Sequence, residues 1–137
     1  MFARVNSMGC YGMEAFCVEV EADCHNGMPR IDVVGLPDAS VKESCDRVRA
    51  AMKNCGCQFP VSRITVNLAP ADRRKEGPLY DLPMFVALLA ASGQLKQMPA
   101  TSAFFGELSL DGAVRRVNGA LPMVIQARDA GWEEIFV

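Results

Sequence analysis

The chain has 137 residues, half of them hydrophobic and 22% charged, with a formal net charge of −2 at pH 7. That length suits one domain burying roughly two-thirds of its unfolded surface, and a charge so close to zero gives no global pull toward nucleic acid or membrane. No apolar run is long enough to cross a bilayer and the opening Met1-Phe-Ala-Arg-Val-Asn6 has no secretory core, so the expected compartment is the cytoplasm, with no membrane partner.

Residues 2–9 and 15–22 alternate with period two, as half-buried strands do. In the second, Phe16, Val18, Val20 and Ala22 share one face while Glu19 and Glu21 take the other, and Tyr11-Gly12 between the two runs predicts a hairpin. His25-Asn-Gly27 supplies a turn, and Arg30–Val34 reads as a third strand ended by Gly35-Leu-Pro37. A helix is predicted over 40–54, capped by Asp38 or Ser40 and stopped by Gly56, with Val41, Cys45, Val48 and Met52 as its apolar stripe. Lys42, Glu43, Asp46, Arg47 and Lys53 fall off that stripe, toward solvent.

A strand over 63–68 follows, then a charged loop and a helix beginning near Leu79, whose first turn tolerates Pro83. Asp111-Gly112 is a strong hairpin signal between predicted strands 104–110 and 113–117. The last helix spans 120–130, closed by Gly131, and 135–137 begins a strand that nothing closes, which suggests a domain truncated before its natural C-terminal end. The order β-β-β-α-β-α-β-β-α-β, with hairpins at both ends, argues for an α+β fold: a mixed β-sheet with helices packed on it.

In a cytoplasmic chain the six cysteines are reduced thiols. Cys10, Cys17 and Cys24 recur at intervals of seven without a CxxC pair, and they read as small buried hydrophobes rather than as metal ligands. Glu76 and Asp81 flank Gly77-Pro78, yet two carboxylates near a loop are common, and no metal site is expected. The single histidine, His25, lies in a turn, which argues against a Ser-His-Asp triad, and no GxxxxGK[ST] occurs. This chain is therefore expected to hold no cofactor.

The most informative stretch is 64–84. A strand, Ile64-Thr-Val-Asn-Leu68, empties into Ala71-Asp-Arg-Arg-Lys-Glu-Gly77, and Pro78 opens a helix. Such a junction can present backbone N–H groups and a first-turn side chain to a ligand. Lys75-Glu76-Gly77-Pro78 resembles the nucleophile loop of Lon-type serine proteases, but Leu79 stands where the serine would be.

Four further segments carry a wider resemblance: Val34-Val-Gly-Leu-Pro-Asp-Ala-Ser-Val-Lys-Glu-Ser44, Arg63–Asp72, Lys75–Pro83, and Gly106-Glu-Leu-Ser-Leu-Asp-Gly112 with Gly119-Ala-Leu-Pro122. In this order they resemble the N-terminal domain of the magnesium-chelatase-subunit-like AAA+ ATPases, the ComM/YifB competence-protein family. The resemblance implies a Lon-protease-like fold of the ribosomal-protein-S5 domain-2 type. It also implies an AAA+ module after residue 137 that takes ATP and Mg and assembles hexameric rings, and a link to DNA branch migration in natural transformation.

Matched to the protease pattern, the serine position is Leu79 and the lysine position lies near Met123. A Lon-type dyad needs a hydroxyl and a desolvated amine as its base; leucine and methionine have neither. The expectation is a pseudo-protease that cuts nothing, with Leu79 and Met123 packed together. Binding remains open between two readings. Arg73, Arg74 and Lys75 on the loop, with Arg115 and Arg116 on the hairpin arm, could meet DNA phosphates. Alternatively those charges are a solvated face, bracketed by Asp72 and Glu76, and the domain is purely structural, serving ring assembly or regulation without DNA. Trp132 is either an interface anchor or a buried aromatic.

Overall fold

In a computed structural model, which describes residues 1–96 and 100–137, the unbroken alternation of residues 14–25 becomes a 12-residue strand in a six-stranded sheet. In chain order the elements are β1 (Phe2–Tyr11), β2 (Glu14–His25), β3 (Arg30–Val34), α1 (Ala39–Asn54), β4 (Arg63–Ala69), a 3-10 turn at Pro78–Tyr80, α2 (Asp81–Ala91), β5 (Ser102–Phe104), β6 (Glu107–Leu108), β7 (Val114–Arg115), α3 (Ala120–Asp129) and β8 (Glu134–Phe136). The sheet order is β3-β4-β2-β1-β5-β8, with β6 and β7 forming a separate ribbon. β2 runs antiparallel to β1 and β4, while β3–β4, β1–β5 and β5–β8 are parallel. The fold is α+β with a mixed sheet, as the element order required.

Register explains where the core lies. Phe16, Val18, Val20, Ala22 and Cys24 are buried on one face of β2. Opposite them on β1 stand Gly9, Ser7, Val5 and Ala3, and on β4 stand Leu68, Val66 and Ile64. Helix α2, apolar almost all round, packs across β1 and β2; α1 packs on α2, and α3 also meets β1 and β2. Trp132 is half-buried against this core. None of the described helices is long and apolar enough to cross a membrane.

Three expectations change. Cys17 is exposed rather than buried, because the parity that buries Phe16 and Val18 turns residue 17 to the other face; Cys24, in phase with them, is buried. Arg47 does not face solvent but lies under the start of α2. The single strand expected over 104–110 is split between β5 and β6. Gly106 is the break: its N–H donates to Leu79 O and its carbonyl accepts from Leu82 N, so that backbone serves the α2 junction instead of the sheet.

Gly35, just after β3, has φ +103°, and a Cβ there would stand 2.2 Å from Leu68 O. Only glycine lets the chain turn so close against β4. That turn brings Leu36 and Pro37 onto the loop before α2, where Lys75 N–H donates to Leu36 O and Asp38 N–H to Lys75 O.

Candidate functional site

The two loops zipped by those backbone bonds meet at Lys75. Its side chain is fully buried, and Nζ donates to Gly35 O at 2.8 Å and to Pro70 O. Burial pushes the ammonium below its ordinary pKa. Lys75, expected from the sequence on an exposed basic loop, therefore presents no charge at the surface: its ammonium is bonded to carbonyls inside the protein. Arg73 is also engaged, over the Phe16 ring at 4.0 Å and paired with Glu14 Oε1 at 3.2 Å. Arg74 is 67% exposed and pairs loosely with Glu76 at 3.4 Å. Arg115 and Arg116 are both exposed, on and just after β7. The loop and hairpin together thus expose Arg74, Arg115 and Arg116, a smaller basic surface than five residues would make.

Asp38 joins the loops from the α1 side. Its Oδ1 accepts from Val41 N at 2.8 Å, the N-cap bond, and its Oδ2 accepts from Gly77 N at 3.3 Å. Between this cap, the Gly77-Pro78 junction and the β6–β7 arm is a cavity of about 440 Å³, lined by Asp38, Ser40, Glu76, Leu79, Glu107 and Arg116 among others. Cys10, at the end of β1, also lines it.

Leu79 contributes an apolar wall to this cavity and is 6% exposed. Met123 on α3 is fully buried, and both side chains belong to the same apolar core. Tyr80, next to Leu79, is fully buried with its hydroxyl unpartnered among the described residues. Burial raises its pKa, reinforced by the negative charges of Asp38 and Glu76.

Asp81 turns away from Glu76, so the two do not form a carboxylate pair. It accepts from Arg47 through Nε at 2.6 Å and Nη2 at 3.1 Å, and from Leu108 N at 3.0 Å. Arg47 also donates to Ser40 O at 3.0 Å, and its hydrogen bond to Asp81 holds its pKa above the usual value. This buried pair ties α1, α2 and β6 together behind the cavity. Among the described residues no group of three His, Cys, Asp or Glu side chains is placed to hold a metal ion. His25 is exposed and lies 3.0 Å from Asp23, far in sequence from the loop.

Sequence reasoning missed Glu107 as a cavity residue and Asp38 as anything beyond a cap. The one usable signal was Asp38 at the head of α1; nothing local links it to Gly77, 39 residues on.

Comparison with known proteins now decides the family. The family model described as "Subunit ChlI of Mg-chelatase" matches residues 20–137. The chain belongs to the Mg-chelatase subunit ChlI family. It is 47% identical over 130 residues to YifB of Salmonella typhimurium, covering 94% of this chain and 26% of that protein. It is 43% identical over 134 residues to the competence protein ComM of Haemophilus influenzae, covering 97% and 26%. The DNA repair protein RadA of Brucella abortus is 28% identical over 130 residues, 92% of this ChlI-family chain and 27% of its own length. The chain thus spans about a quarter of the length of these relatives.

Proposed function

We propose that this chain is the catalytically silent, Lon-like domain, of the ribosomal-protein-S5 domain-2 type, of an AAA+ ATPase that works on DNA. In this reading the domain is a scaffold for ring assembly that also touches DNA phosphate through Arg74, Arg115 and Arg116. ATP and Mg belong to the ATPase part, and branch migration is the activity the whole protein would perform.

The observation that carries the reading is the filling of the reactive positions. Leu79 and Met123 offer no nucleophile or base, and both are buried in the core. The loop lysine is bonded to two carbonyls and lies too deep to serve as a base in the cavity. The DNA part is supported by two relatives whose names concern competence and DNA repair, and by three exposed guanidiniums, one on the β4–α2 loop and two on and just after β7.

The test is binding of duplex and forked DNA by the 137-residue chain at low and moderate salt, with Arg74, Arg115 and Arg116 changed together to alanine. Phosphate contacts add to the slope of log K against log salt, by about 0.9 per contact on duplex DNA. We expect weak binding whose salt slope falls by roughly two to three in the triple variant. No binding by the wild-type chain leaves a purely structural domain without DNA contact.

A further inference from the structure

We infer that the outer edge of β3 docks a second copy of this chain, the two β3 strands pairing antiparallel about a two-fold axis at Ile31 and joining the two sheets into one. This contact is independent of the DNA and ring-assembly readings above, and it closes on two copies.

β3 stands at the end of the sheet order, and among the described residues it pairs only with β4. Arg30 N–H donates to Ser62 O, just before β4. Backbone groups alternate between the two edges of a strand, so Arg30, Asp32 and Val34 turn N–H and C=O toward β4, while Ile31 and Val33 turn theirs outward. Such an edge is a template for another strand, and natural sheets blunt it with lysines, prolines or bulges. Arg30-Ile-Asp-Val-Val34 contains no lysine or proline, and its register with β4 runs without a bulge. Its two charges are of opposite sign. Charges of one sign would repel a copy of the same strand; these do not.

The side chains select the occupant and the register. Ile31 and Val33 pack against the core, so Arg30, Asp32 and Val34 share the opposite face of the strand. With Ile31 opposite its own copy, Arg30 faces Asp32 of the second copy, and Asp32 faces the second Arg30. Arg30 Nε lies 3.1 Å from Asp32 Oδ1, and the two side chains are 65% and 35% exposed. Two such pairs therefore meet as a square of alternating charge. The same register sets Val34 beside Met28 of the second copy, residues that are 46% and 85% exposed. Directly opposed pairs of unlike charge or of apolar side chains are what stabilises an antiparallel ladder. The main chain agrees: Ile31 exchanges N–H and C=O bonds with its copy, and Val33 N–H reaches the carbonyl of Pro29, which needs no N–H of its own there. Moving the axis by one residue, to Asp32, would oppose Asp32 to its own copy and lose both charge pairs.

The experiment is sedimentation equilibrium of the 137-residue chain over about a hundredfold range of concentration, because a small contact gives a dimer visible only at the top of that range. We expect a reversible monomer–dimer equilibrium that salt weakens. Arg30→Asp and Asp32→Arg each oppose like charges across the axis, and each should raise the dimer Kd at least about fivefold. Mixed together, the two variants oppose unlike charges at both positions again, so each should bind the other more tightly than it binds itself. Val33→Pro removes an outward N–H that the protein's own sheet does not use, so the monomer stays folded by circular dichroism and the dimer is lost. A chain monomeric throughout, growth beyond the dimer, a dimer indifferent to Val33→Pro, or charge variants with no preference for each other overturns the inference.

Discussion

Lys75 shows how much one side chain decides here. Its ammonium links Gly35 O and Pro70 O, and its backbone pairs with Leu36 and Asp38, so the β3–α1 and β4–α2 loops share one fastening point. Burial holds its folded pKa below the ordinary lysine value of 10.5. Between those two values the unfolded chain binds more protons than the folded one, so stability rises with pH across that window. Below the folded pKa the cost of burying the charge is present in full. Lys75→Met should remove this slope, and at pH 7 it should cost about 1–2 kcal/mol because two carbonyls lose their donor. Urea denaturation of both proteins at neutral pH and near pH 10 checks the point. A wild-type curve parallel to that of the methionine variant would show that the lysine contributes no linkage.

At the scale of elements, the Arg47–Asp81 pair and the Asp81–Leu108 bond hold α1, α2 and β6 at fixed spacing. The Asp81 side chain is fully buried and that of Arg47 is 19% exposed. Removing one partner strands the other's charge away from water. Asp81→Ala is therefore expected to cost about 3 kcal/mol, and adding Arg47→Met should restore part of the loss. Simple additivity of the two changes in denaturant titrations would mean that the charges are not coupled. The same clamp explains the split between β5 and β6. Gly106 bonds to Leu79 and Leu82, and Leu108 to Asp81, so this stretch is drawn off the sheet to the head of α2.

Over the whole molecule, the parts of the fold visible in the sequence are those set by local periodicity. The alternation of 15–22, the i, i+4, i+7 stripe after Asp38 and the Asp111-Gly112 turn all point to the elements that form. Features set by distant partners were not visible. Lys75 and Arg47 look like solvated charges until Gly35 and Asp81, 40 and 34 residues away, are brought to them. The cavity has the same character: Asp38, Glu76 and Glu107 come from three separate elements or loops. What the sequence offers about the site is chemical identity, namely the leucine and methionine that the proposed Lon-like reading sets where a protease would need a hydroxyl and an amine.

That substitution is the central claim, and peptide hydrolysis tests it most directly. The purified 137-residue chain, given casein and a fluorogenic peptide mixture, should release product no faster than buffer, and Leu79→Ser alone should not change this because no amine base is supplied. Turnover by the wild-type chain that disappears on substituting Asp38 or Glu107 would contradict the account.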